Sequence, residues 1–196
     1  MFEYRKKQAR FKFLFFTRNK ITQMNTNYKQ WQKLFLWCFG LFAGTAFCMK
    51  WMESDFLQNG QLFTIIGLEI SYSKEKIVSI LSGLDEHVKT ILRYHLNFDF
   101  AFMAAVYPGI AALCMMAREK SPGLFLKKIL LAFAALQLVA WGCDIAENCY
   151  LMKWIKSPVI GNEFGIYHII VWVKWIIALT GAIIAIPLAL RKRKAV

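Results

Sequence analysis

The sequence predicts an all-α membrane protein: a bundle of four transmembrane helices with a small extracytoplasmic strand-plus-helix segment between the first and second. Three observations lead there. Of 196 residues, 58% are hydrophobic and only 19% charged, whereas soluble domains run at about 45–50% apolar and 25% charged. Four apolar stretches, about 31–52, 96–116, 130–155 and 164–190, approach or exceed the ~20 residues needed to cross a hydrocarbon layer. The net charge of +13 is not spread over one face but gathered at both ends and in one turn, which is a topology signal and no nucleic-acid footprint.

Residues 1–30 form a basic tail in which Arg5, Lys6, Lys7, Arg10, Lys12, Arg18, Lys20 and Lys29 stand against Glu3 alone. The tail suits a disordered arm or an amphipathic segment on anionic lipid. Met24 offers an alternative start, so residues 1–23 are also read as an over-extended beginning. In the first span, Lys33 and Lys50 bracket an uncharged core and can snorkel outward, while Trp31 and Trp51 supply interfacial anchors. Gly40 and Gly44 form a GxxxG that permits close helix contact. Gly44-Thr-Ala46 resembles a small-x-small cleavage site, so a cleaved signal peptide is the competing reading of this span.

Residues 53–95 are the one sizeable extramembrane segment. The run 62–70 is apolar and β-branched enough for one or two short strands. Ser73 stands at an N-cap position, and Ile77, Ile80, Leu81 and Leu84 recur at helical spacing, with a break near Ser82-Gly83 and resumption through Val88, Ile91 and Leu92. The second span opens at Asn97-Phe-Asp99 and should bend at Pro108-Gly109. A basic turn, 118–128, precedes the third span, and a short turn, 156–163, the fourth. Arg191-Lys-Arg-Lys194 begins a basic tail over 191–196. All three basic elements fall on one side, so the termini are expected in the cytoplasm and the 53–95 insert outside (in the inner membrane, if the source is bacterial).

The charges inside the spans carry the functional reading. Asp144 and Glu147 interrupt the third span and Lys174 the fourth. An ionisable group at mid-bilayer costs at least ~2.5–3.5 kcal/mol and normally faces the bundle interior with a partner. Counting from the outer ends, Glu147 and Lys174 should both lie ~13 Å deep, with Asp144 one turn deeper. Gln137, Trp141, Asp144 and Asn148 share one helical stripe, and Glu147 lies on the same side. Tyr167 shares a stripe with Lys174, while His168 is offset by ~100°. The expected centre is therefore Asp144, Glu147 and Lys174, with Asn97, Asp99, Tyr167 and His168 as an outer polar rim. Two acids beside one lysine leave a surplus negative charge, which either a proton or a bound cation must offset.

No cofactor is expected. Asp99, Asp144, Glu147 and His168 are suitable ligand types for a divalent ion, but no H-x-x-x-H or E-x-x-H pattern is present and Lys174 competes for the carboxylates. The five cysteines, Cys38, Cys48, Cys114, Cys143 and Cys149, fall in apolar stretches without a C-x-x-C and read as packing residues. Serine-hydrolase, P-loop and dinucleotide-binding motifs are absent.

Three segments resemble a family of small four-helix integral membrane proteins. Tyr72-Ser-Lys-Glu-Lys-Ile-Val-Ser-Ile-Leu81 is similar to its extramembrane helix. Asn97-Phe-Asp99-Phe with Tyr107-Pro108 is similar to its "L-D…Y" second span, and Asp144-Ile-Ala-Glu147-Asn148 to its "D-x-x-E-N" third. The likeness covers about residues 60–150; Asn97 stands where an apolar residue is expected, and residues 1–23 lie outside it. It implies that Asp99, Asp144, Glu147 and Asn148 form one site, and implies no activity.

The expectation is a multi-pass membrane protein with an outward-opening polar site that binds a proton, cation or small polar ligand. The alternatives are a structural accessory subunit whose charges clip helix register, and a membrane-embedded acid–base enzyme acting on lipid. Expected partners are the bilayer, anionic lipid at the basic tails, and a second copy or a membrane-complex subunit, but no nucleic acid. Four helices without an inverted repeat are few for a monomeric transporter.

Overall fold

The computed structural model describes the backbone of residues 2–191 and the side chains of residues 27–191. The expectations for the N-terminal tail before residue 27, and for residues 192–196, lie outside the described side chains. The chain is mostly helical: α1 (Phe2–Met52), β1 (Leu57–Gln58), β2 (Gln61–Leu62), α2 (Lys74–Ser82), α3 (Glu86–Lys120), α4 (Leu124–Lys156) and α5 (Glu163–Leu190). Four stretches are long and apolar enough to cross a membrane: Asn27–Asp55, Glu86–Lys120, Leu124–Lys156 and Glu163–Leu190.

α3 is the central helix. It packs against α1 on one side and against α4 and α5 on the other, and α4 also packs against α5. Between apolar helices in lipid, burial from water gives little drive, so close van der Waals approach must hold the bundle. Small residues provide it: Ala105, Ala112 and Ala117 of α3, Ala140 of α4, and Ala185 and Ala189 of α5 are all buried. Gly109 admits α1, since a Cβ there would stand 3.2 Å from that of Cys38. α3 runs on through Pro108 as one helix. The GxxxG of α1 is not an internal contact, because a Cβ at Gly40 or Gly44 would meet nothing within 4 Å.

The insert holds a small two-stranded sheet and short helical segments. A two-residue hairpin, Leu57 with Leu62 and Gln58 with Gln61, turns on Asn59 (φ 51°) and Gly60 (φ 76°), the left-handed pair a tight hairpin requires. Of the rest of the run expected as strand, Phe63 and Thr64 are irregular and residues 65–71 are helical, with a π-helical turn over Gly67–Ser71. Thr64 starts that turn by accepting the Gly67 N–H on its hydroxyl at 3.0 Å, and the Tyr72 ring lies so close over Gly67 that a Cβ there would force it aside. Ser73 caps α2 by accepting from the Lys76 N–H at 3.3 Å, and Asp85 caps α3 by accepting from Val88 at 2.8 Å. The second long helix therefore begins at Glu86, one continuous rod that carries the end of the insert into the span.

Phe56, Phe63, Leu68, Ile77, Ile80 and Leu81 of the insert pack with Leu92, Leu151, Trp154 and Tyr167 into one buried cluster over the adjoining ends of α3, α4 and α5. Each such side chain taken from water contributes ~1.5–3 kcal/mol. That burial anchors the π-helical turn, and the turn carries a residue into the bundle.

Candidate functional site

The stripe on α4 faces inward. Gln137, Asp144, Glu147 and Asn148 are all buried, and Glu147 is completely so. Lys174 of α5, also buried, lies between the two acidic turns, its Nζ 2.8 Å from Asp144 Oδ1 and 2.6 Å from Glu147 Oε2. The Asp144 contact is a hydrogen bond. At Glu147 the approach is an ion pair without hydrogen-bond alignment, leaving neither carboxylate oxygen hydrogen-bonded.

A third acid completes the centre. Glu69, on the π-helical turn of the insert, places Oε2 3.4 Å from Lys174 Nζ and accepts from the Trp175 indole N–H at 3.3 Å. Lys174 also sits 5.4 Å from the Trp175 ring centroid, a cation–π distance. Burial pushes the Glu69 carboxyl above its usual range; the Lys174 ammonium pulls it back, and the neighbouring Asp144 raises it again.

Tyr107 of α3 donates its hydroxyl to Asp144 Oδ2 at 2.7 Å. Asp144 is thus held from both sides, by a phenol on one oxygen and an ammonium on the other. Asp99 accepts from Asn148 Nδ2 at 2.8 Å, and the same amide donates to the Leu96 carbonyl at 3.3 Å. Among the described residues Asp99 has no ion-pair partner. Gln137, one layer below, donates to the Phe133 and Ile177 carbonyls and ties α4 to α5 where Gly181 lets them meet.

Sequence reasoning missed Glu69 and gave Tyr107 no role. A lone acid inside the apolar run 62–70 was the available signal for Glu69. The expected outer rim is redistributed. Tyr167 is buried in the core and donates to the Leu68 carbonyl at 3.1 Å, which holds the π-helical turn in place. Asn97 is exposed. His168 is half-buried against Phe164, with ring centroids 5.5 Å apart and Nδ1 making no hydrogen bond. Its ~100° offset from the Lys174 stripe turns it away from the acids.

A cavity of about 480 Å³ reaches the centre beside α1. Lys50, Glu53 and His95 line it at the insert end, Asp99, Glu69, Asp144, Tyr107 and Lys174 at its polar wall, and Phe42, Val106 and Ala182 below. His95 is 1% exposed, and neither ring nitrogen has a hydrogen-bond partner; its Nε2 lies 4.0 Å from Glu53. Among the described residues no three His, Cys, Asp or Glu side chains are grouped to hold a metal ion.

The arrangement can offset positive charge, exchange hydrogen bonds with a polar group entering from the cavity, and hold a proton among its acids. No protein family, no curated protein and no solved structure matches this chain.

Proposed function

We propose that this is a multi-pass membrane protein whose intramembrane site binds a small cationic or polar ligand entering from the outer side. The observation that carries this is the cavity of about 480 Å³ that ends on Asp99, Glu69, Asp144 and Lys174. A pure register clip would be close-packed around its ion pairs. Here, among the described residues, three acids converge on one lysine, a fourth, Asp99, lacks a cation, and both His95 ring nitrogens lack hydrogen bonds. The Lys174 ion pairs also tie the insert to α4 and α5, so they fix the shape of the site as well as its charge.

Orientation rests on charge. With the basic segments at both ends and in the α3–α4 turn on the cytoplasmic side, the insert and the end of the cavity lined by Lys50 and Glu53 face outward. In bacteria this would be the inner membrane. Native mass spectrometry of protein released from its own membrane tests the reading. A retained adduct is expected on the wild type and lost in the charge-balanced pair Asp144→Asn with Lys174→Met. An adduct-free wild type, as stable as protein incubated with candidate cations, contradicts ligand binding and favours the clip.

A further inference from the structure

The cavity does not stop at the polar wall. Phe42, Val106, Ile110 and Ala182 line both it and a second cavity of about 630 Å³ that continues between α1, α3 and α5 towards Tyr28 and Lys120. From Glu53 to Tyr28 the trough runs along α1 for ~37 Å, at ~1.5 Å per residue, more than the ~30 Å hydrocarbon thickness. Both volumes fall in the range of ~300–1,000 Å³ typical of small-molecule sites. A small ion would use the polar end alone and leave a trough of apolar walls without purpose.

Charge decides the head group. Among the described residues Lys174 is the one cation paired with Glu69, Asp144 and Glu147, and Lys50 is already paired with Glu53 at 2.6 Å. A carboxylate or phosphate head would add negative charge to that wall in a low-dielectric setting where repulsion is weakly screened. A primary ammonium brings three donors, and the cavity offers Asp99, Glu69 and the buried imidazole of His95, which makes no hydrogen bond, as acceptors. We infer that the trough binds a single-chain lipid amine, with its ammonium among Asp99, Glu69 and His95 and its chain between α1 and α5. This rests on the ligand-binding reading above and names the ligand class.

The test uses the full chain in phosphatidylcholine nanodiscs, reading the thermal midpoint with octadecylamine, octadecanol, octadecanoate and butylamine. Octadecylamine should raise Tm at the lowest concentration, octadecanol less effectively, and octadecanoate not at all. Asp99→Asn should weaken octadecylamine by about tenfold or more, the effect of losing a charge-assisted hydrogen bond. Ile186→Trp, on the wall of the second cavity alone, should weaken octadecylamine and leave butylamine unchanged. Octadecanoate acting as well as octadecylamine on the wild type overturns the proposal without any variant. Octadecylamine unaffected by Ile186→Trp also overturns it, and butylamine binding in that case leaves the polar-site reading standing. If neither amine acts the proposal fails, and the adduct measurement decides the polar site separately.

Discussion

Replacing Lys174 by Met keeps an unbranched apolar stem out to Cε and removes the ammonium. Asp144 at 2.8 Å, Glu147 at 2.6 Å and Glu69 at 3.4 Å then lose their common cation. Removing one partner of a buried pair costs ~3–5 kcal/mol, because the other charge is left desolvated. Proton uptake sets a ceiling on what each stranded acid can cost. Protonating a glutamate of ordinary pKa ~4.3 at pH 7 takes ~3.7 kcal/mol, at ~1.36 kcal/mol per pH unit, and at pH 5 only ~1 kcal/mol. Lys174→Met should therefore destabilise by ~3–5 kcal/mol at pH 7 and by much less at pH 5. Glu147→Gln added to it should recover part of the loss at pH 7, since one stranded charge is gone. Glu163→Gln should recover nothing, because Glu163 pairs with Lys153 at 3.7 Å in the α4–α5 turn. Unfolding in detergent at the two pH values gives all four comparisons. A loss equal at pH 5 and pH 7, and strictly additive with Glu147→Gln, would refute the shared-cation reasoning.

Neighbouring contacts yield further outcomes. Tyr107→Phe removes the donor to Asp144 while Lys174 remains, so it should cost ~1.5–3 kcal/mol, the worth of a hydrogen bond to a charged group; a loss below half of that in the same assay would mean the contact is solvent-replaced. Glu69 is held protonated more readily folded than unfolded, so its contribution is full below its unfolded value of ~4.3 and is lost as pH rises through its raised folded value. Glu69→Gln should flatten the fall of Tm above that point, and an unchanged pH profile would contradict it. A reporter fused after Val196 should be cytoplasmic, and an extracytoplasmic signal would reverse the orientation.

Periodicity made the half of the site carried by α4 and α5 readable. Asp144, Glu147 and Asn148 repeat at three and four residues on a long apolar helix, and Lys174 lies at matching depth on the next, so their convergence needed no tertiary information. Glu69 could not be found that way. It reaches Lys174 because an apolar cluster around Leu68, Ile77 and Trp154 folds the insert against the ends of α4 and α5. Local propensity also misled. The β-branched run after Leu62 looks extended, but the hairpin that turns on Asn59-Gly60 ends at Leu62, and Thr64 and Gly67 turn residues 65–71 helical. Asn59-Gly60 is itself a strong hairpin signal. Asp99 and His168 seemed alike in depth, yet Asn148 draws Asp99 into the site and helical phase turns His168 out of it.

The central claim is that the polar centre is reached from the outer side through the cavity beside α1. The most direct measurement is thiol accessibility in a chain whose five cysteines, Cys38, Cys48, Cys114, Cys143 and Cys149, have been replaced. Ala178→Cys places a thiol on the cavity wall, and Ala117→Cys places one in a fully buried contact among α3, α4 and α5. In right-side-out vesicles a membrane-impermeant cationic methanethiosulfonate should modify Ala178→Cys from outside and leave Ala117→Cys unreacted. Modification of Ala178→Cys only from the cytoplasmic side, or no faster than Ala117→Cys, would contradict the account.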